Sequence, residues 1–217
     1  ADAIKRGLVA YLYRPELGRF ARTLKLVDGM ARTGSRYEYD TTVDASLFGV
    51  SYFGMLDPRD TMVQSTVRSI REHLRTRTDV GGLARYERDS YYSQTGEFDK
   101  VPGNPWFVTT LWMAQHEITL ARTGGELKEA LGLIRWVIDH ALPSGVLAEQ
   151  VHPFTGEPLS VSPLTWSHAQ LVTAVMEYMN KARILKLCPA CGEPAFDYAR
   201  TDFEAASARL DDFSRKP

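Results

Sequence analysis

Apolar and polar positions along the chain sort into helices of two kinds. Residues 43–56, Val43-Asp44-Ala45-Ser46-Leu47-Phe48-Gly49-Val50-Ser51-Tyr52-Phe53-Gly54-Met55-Leu56, are apolar or small on nearly every side, which predicts a helix buried all round. Asp57-Pro58 then supplies an N-cap and a proline at the first helical position. Val63, Val67, Ile70 and Leu74 follow at helical spacing, with Arg68, Arg71, Glu72 and Arg75 available for a wet face. The alternation repeats. Asn104-Pro105 opens an apolar run from Trp106 to Ala114, and after Thr123-Gly124-Gly125 the residues Leu127, Leu131, Ile134 and Ile138 recur with Lys128, Glu129 and Arg135 between them. Ser162-Pro163 opens a third enclosed helix, Leu164 to Val175, and the first segment, with Ile4, Leu8 and Leu12 on one stripe, serves as the outer partner of 43–56.

Three outer–inner pairs result. An inner-ring helix touches neighbours on both sides and an outer-ring helix on one, so the alternation predicts an all-α toroid of two concentric rings. A plain helical bundle or a stacked helical repeat also alternates, although no short fixed-period repeat of the solenoid kind occurs. Strand signals are sparse; Arg19-Phe20-Ala21-Arg22-Thr23-Leu24 reads as half of a small hairpin. Two long polar segments, 79–103 and 142–162, each connect an outer helix to an inner one. They therefore share one rim, where unstructured stretches of this length carry function more often than not.

Composition narrows the ligand. The 217 residues are 24% charged with a formal net charge of −1, so no basic field attracts nucleic acid or an anionic membrane, and a small neutral substrate fits better. Aromatic residues make up 11%, which suits stacking on sugar rings and suits an ordinary core equally. Ala1-Asp2-Ala3-Ile4-Lys5-Arg6 has neither the apolar run of a secretory leader nor a membrane span, which leaves localisation open with the cytoplasm favoured. Cys188 and Cys191 form one knuckle of a zinc ribbon without a second, so a reduced, incidental turn is expected rather than a metal site; metal-dependent partner binding is the weaker alternative. His116, His152 and His168 show no His-Glu-x-x-His spacing, and no nucleophile elbow or phosphate-cradling loop is present.

Three blocks in the rim segments carry a resemblance. Arg85-Tyr86-Glu87-Arg88-Asp89-Ser90-Tyr91-Tyr92, then Gly103-Asn104-Pro105-Trp106-Phe107, then Glu149-Gln150 with Thr155-Gly156-Glu157-Pro158-Leu159-Ser160 and Leu164-Thr165-Trp166-Ser167, resemble in order the motifs of glycoside hydrolase family 15, the glucoamylases with related glucodextranases and microbial trehalases. The resemblance implies an (α/α)6 barrel that hydrolyses an α-glucosidic bond with inversion and uses no metal or organic cofactor. It implies Glu149 as the general base. It implies substrate contact through Arg85, Tyr86, Asp89, Tyr91, Trp106 and Trp166, flat aromatic faces suiting the C–H faces of a pyranose. Glu87 and Asp89 are also expected to tie down their own loop, and Glu157 lies in a turn.

The family's general acid belongs to earlier helices that have no counterpart here. Residues 1–186 are therefore expected to be the C-terminal half of the six-hairpin barrel, with 187–217 an extension holding the Cys188 turn and a short helix with Phe203, Ala206 and Leu210. The isolated chain should be inactive and should expose apolar surface where the missing N-terminal half docks. Arg88 stands where the fungal enzymes carry an acidic residue, which leaves trehalose, maltose, dextran-like and starch-like substrates all open. The alternative is a non-catalytic carbohydrate-binding or assembly half-barrel.

Overall fold

The computed structural model describes residues 1–27 and 36–190. Helix α1 (Asp2–Gly7) continues into a π-helical segment, Leu8–Leu12, whose Leu8, Val9 and Leu12 rest on the core while Ile4 stays 69% exposed. Two antiparallel hairpins follow: β1 (Tyr13–Arg14) with β2 (Arg19–Phe20), and β3 (Thr23–Leu26) with β4 (Tyr37–Asp40). The stretch 19–24 thus contributes to two hairpins rather than to one. Buried Phe20 and Ala21 divide them, because their N–H groups are taken by the Thr66 hydroxyl at 3.2 Å and the Leu12 carbonyl at 2.8 Å.

Residues 43–56 do not form the single buried helix that their composition predicts. The Asp44 carboxylate accepts from the Ser46 N–H at 2.7 Å and starts a 3-10 turn, Ala45–Phe48, which passes into the one-turn helix α2 (Gly49–Tyr52). Gly54, at a φ of +72° that only glycine adopts without strain, then reverses the chain, and the Leu56 N–H returns to the Val50 carbonyl at 3.0 Å. Phe53 is left 77% exposed. Helix α3 (Thr61–Leu74) also begins later than predicted: Asp57 closes a turn onto the Arg59 N–H, and the cap is Asp60, which accepts from the Met62 N–H at 2.8 Å. Val63, Val67, Ile70 and Leu74 are its buried face, as the spacing predicts.

Helix α4 (Phe107–Leu120) is buried around almost its whole circumference. Phe107, Leu111, Ala114 and Ile118 enter one apolar cluster with the following helices, while Met113 enters another with α3. Helix α5 (Gly124–Asp139) starts at a reciprocal capping box of Thr123 and Glu126. Its inward face is Leu127, Ala130, Ile134 and Val137, so the predicted stripe is rotated, and Ile138 is 55% exposed. Strands β5 (Gln150–Val151) and β6 (Pro158–Leu159) form a third hairpin before α6 (Thr165–Ile184), the last inner helix.

Outer helix α3 packs on the inner turn 45–48 and shares a cluster with Met113 of α4, outer helix α5 packs on α4 and α6, and Leu8, Val9 and Leu12 of the first segment rest on the same core, which gives half of an (α/α)6 barrel. Inner neighbours meet through Phe48 and His116, and through Trp112 and Trp166, whose rings lie 5.7 Å apart. Helix α6 is not enclosed as predicted. Ser167, Gln170, Ala174, Tyr178 and Ala182 are buried, but Trp166, Val172, Met176 and Met179 are half or more exposed. Cys191 and the stretch with Phe203, Ala206 and Leu210 lie outside the described residues.

Candidate active site

The chain passes from an outer to an inner element at one end of the half-barrel, and three such crossings knit together there. A run of antiparallel bridges joins Arg75 to Leu83, Leu83 to Trp106, and Trp106 to Gln150, while Asp44 bridges Tyr86. Helix α4 pins the first rim segment, because the Thr109 hydroxyl donates to the Leu83 carbonyl at 2.7 Å and the Thr110 hydroxyl accepts from the Leu83 N–H at 3.0 Å. Buried Asn104 then ties the two rim segments to each other, its amide donating to the Gln150 side-chain oxygen at 2.7 Å and to the Tyr92 carbonyl at 2.8 Å.

Arg85 leads the first segment. Its Nε and Nη2 both donate to the buried carboxylate of Asp89, each at 2.9 Å, and Asp89 also accepts from the Tyr91 N–H. The guanidinium lies 4.8 Å from the Tyr86 ring centroid, 5.3 Å from that of Tyr91 and 4.6 Å from that of Trp106. Burial alone would weaken the charge of Arg85, but the hydrogen bonds and charge of Asp89, and then Tyr86, outweigh it and raise its pKa. Glu87 ties the same loop to the first inner element by accepting from the Val43 N–H at 2.7 Å.

Arg85, Tyr86, Trp106 and Trp166 line a hollow of about 370 Å³, within the roughly 300–1,000 Å³ common for small-ligand sites. Asp89 and Tyr91 contact Arg85 but are not among the residues lining the hollow. The buried indole N–H of Trp106 has no acceptor among the described residues. Among the other wall residues, which sequence reasoning missed, are Arg22, Asp44, Ser46 and Trp112. Asp44 had a legible signal as a capping acid ahead of an apolar run; Arg22 had none. Each cation is matched by a carboxylate, Arg85 by Asp89 and Arg22 by Asp44 at 3.1 Å, so the hollow suits an uncharged ligand.

Glu149 is half-buried and is not among the residues lining the hollow; it precedes Gln150, which bridges Trp106. Its N–H donates to the Val161 carbonyl at 2.9 Å. Across the β5–β6 hairpin, Ser160, held in the left-handed region at a φ of +64°, donates its hydroxyl to Glu149 Oε2. The Gln150 amide approaches the same oxygen at 3.5 Å. Ser160 lies inside the motif stretch, but its role is invisible without the hairpin register.

The histidines have structural partners. His152 Nδ1 accepts from the N–H groups of Phe154 and Thr155, and His168 Nε2 accepts from the Leu147 N–H at 3.0 Å. Among the described residues no cluster of His, Cys, Asp or Glu is arranged to hold a metal ion, and no helix is long and apolar enough to cross a membrane.

The model of the glycosyl hydrolases family 15 matches residues 13–135 and 130–176. An uncharacterized glycosyl hydrolase of Methanocaldococcus jannaschii is 32% identical over 148 residues, 64% of this chain and 22% of that protein. Trehalase 2 of Sulfolobus acidocaldarius is 27% identical over 143 residues, 66% of this chain and 22% of that enzyme. The chain thus spans about a fifth of the length of these curated relatives. Among solved structures, a bacterial glucoamylase complexed with acarbose superposes with a TM-score of 0.65 at 20% identity, over 83% of this chain and 28% of that one. A glycosidase in its wild-type form gives 0.59 at 23% identity, over 82% and 43%. At these identities the structural likeness speaks for the fold alone.

Proposed function

Because this chain belongs to family 15 of the glycosyl hydrolases, we propose that it is the part of an α-glucoside-hydrolysing barrel that binds the sugar and supplies the general base, Glu149, for hydrolysis with inversion. The observation that carries the reading is a charge-balanced aromatic hollow whose wall residue Trp106 bridges Gln150, the chain neighbour of Glu149, with the Glu149 carboxylate held by Ser160. Ser160 engages Oε2, which leaves Oε1 to take the proton of an attacking water. An inverting pair of carboxyl groups stands roughly 6.5–9.5 Å apart so that this water fits between base and sugar. The carboxylates around the hollow are otherwise committed: Asp44 to Arg22 and Ser46, Asp89 to Arg85, and Glu87 to the Val43 N–H. The general acid, which the family resemblance assigns to earlier helices, comes from the helices that complete the ring, docked on the exposed flank of α6. Arg85 and the indoles of Trp106 and Trp166 hold a neutral glucosyl unit, and the trehalase and glucoamylase names among the relatives fit trehalose or a maltose-like glucan as substrate.

The test is Glu149→Gln in the protein joined to its ring-completing helices. Turnover of trehalose and maltose should fall about 10²–10⁴-fold with the circular dichroism spectrum unchanged, the usual size of a general-base contribution; retained turnover would mean that another carboxylate is the base. Proton NMR of the first product should show β-glucose, and α-glucose formed first would remove the inverting mechanism. The 217-residue chain alone should turn over none of trehalose, maltose or longer glucans.

A further inference from the structure

The hollow has a second arginine, one that no motif marks. Arg22 leaves the first hairpin just before β3, and its N–H donates to the Asp40 carbonyl at 2.9 Å, which fixes it at the base of the β3–β4 hairpin. Its Nε sits 3.1 Å from Asp44 Oδ2, and its guanidinium lies 5.0 Å from the Tyr86 ring centroid. Tyr86 thus stands within cation–π reach of two guanidinium groups, Arg22 and Arg85. Asp44 is itself buried and fixed, since its other oxygen accepts from the Ser46 N–H at 2.7 Å and its backbone bridges Tyr86.

The two arginines differ in what they have left to offer. Arg85 uses Nε and Nη2 on Asp89, and Nη2 also reaches the Tyr86 hydroxyl at 3.4 Å. Arg22 commits only Nε: Nη1 is 3.9 Å from Asp40 Oδ2, beyond hydrogen-bonding distance, and Nη2 has no acceptor among the described residues. Both arginines line the hollow, so the one with more unused donors is Arg22. A guanidinium presents its terminal N–H groups in a fixed planar fork that matches two adjacent oxygens, and the carboxylate partner leaves it without net charge to repel or select an ion. We propose that Arg22, held by Asp44, is a second sugar-binding residue of the hollow and donates through its terminal nitrogens to hydroxyl groups of the bound glucosyl unit. The inference rests on the reading of the hollow as a sugar site. It makes the hairpin, rather than a barrel helix, one wall of that site.

The test titrates the folded 217-residue chain with D-glucose and with the monodeoxyglucoses, following the fluorescence of the indoles at Trp106, Trp112 and Trp166. Glucose should quench the wild-type chain saturably. Arg22→Gln should weaken glucose binding roughly 10- to 100-fold, the range of a hydrogen bond from a charged group, and Arg22→Lys should weaken it less. At least one monodeoxyglucose should bind the wild type weakly and be indifferent to Arg22→Gln, because the hydroxyl that Arg22 would meet is gone. Glucose binding unchanged by Arg22→Gln overturns the inference and leaves the sugar hollow standing. An equal loss for glucose and for every monodeoxyglucose also overturns it, because the arginine then only supports the wall. Absence of saturable glucose binding to the folded wild-type chain overturns both the inference and the reading beneath it. Should Arg22→Gln fail to fold by circular dichroism, Arg22→Lys carries the same comparison across the deoxy sugars.

Discussion

Helices α4 and α6 are both apolar around most of their circumference, yet they meet different surroundings. Phe107, Leu111, Ala114 and Ile118 of α4 are each no more than 2% exposed, and Met113 is buried on another side. Helix α6 buries Ala174, Tyr178 and Ala182 against α4 and α5, while Val172, Met176 and Met179, three and four residues apart, form an exposed stripe. The difference lies in the inner neighbours that each helix has among the described residues. Helix α4 has them on both flanks and α6 on one. The polar contacts lie on the enclosed flank: Gln170 and Gln115 pair through their amides, and Gln115 donates to Glu177 at 3.0 Å, both across the contact of α4 with α6.

The largest expected effect compares truncations on the two helices. Leu111→Ala removes a side chain with no exposure and should destabilise the chain by about 3 kcal/mol, the range of a buried leucine that leaves a cavity. Met176→Ala, at a residue 67% exposed, should stay within about 0.5 kcal/mol. Urea unfolding of the 217-residue chain measures both. Equal losses would break the comparison, because α6 would then be as enclosed as α4.

Enclosure of α4 should also show in the pH dependence. His116 packs by Phe48 and the Gln64 amide, and burial, helped by the charge of Arg71, lowers its pKa to about 4 from an ordinary 6.5. As pH falls below 6.5 the unfolded chain takes up the proton first, so the contribution of this group is complete above that value. It is lost progressively as pH falls towards 4, amounting to on the order of 2 kcal/mol for a site that is mostly but not wholly buried. Neighbouring Glu117, whose pKa burial raises, acts in the opposite sense in its own range. The reading is therefore the difference between wild type and His116→Gln, which should narrow as the pH is lowered through that window. A constant difference would mean that His116 is hydrated in the folded chain.

How much of this was legible from the sequence follows from how local each signal is. Periodicity located α3 and α5 because their buried positions repeat within one element, the apolar run after Asn104-Pro105 located α4, and the Thr123-Gly124-Gly125 break marked the start of α5. It failed at 43–56, where the left-handed Gly54 and the Asp44 cap, not hydrophobicity, decide how far a helix runs. Of the hollow, motif recognition supplied Arg85, Tyr86, Trp106 and Trp166, which follow fixed local patterns. Arg22, Asp44 and Trp112 come from three distant segments and carry no such pattern; only the bridge of Asp44 to Tyr86 and the packing of Trp112 on Trp166 bring them to the wall. Trp112 in particular is indistinguishable in sequence from the core residues on either side of it.

The smallest expected change in the isolated chain is the most telling about the open flank. Met176→Lys replaces a thioether by an ammonium at a position already facing solvent, between Val172 and Met179. On the chain alone the charge stays hydrated, so stability should move by less than about 0.5 kcal/mol, and breaking up the apolar stripe should reduce self-association. If the stripe is where ring-completing helices pack, the same lysine in the joined protein is forced into an apolar seam without a partner, and there it should cost several kcal/mol and activity with it. Thermal unfolding of the two forms side by side separates the cases: a lysine harmless in both would mean that the exposed face of α6 is simply surface, and the contrast between α4 and α6 would lose its meaning.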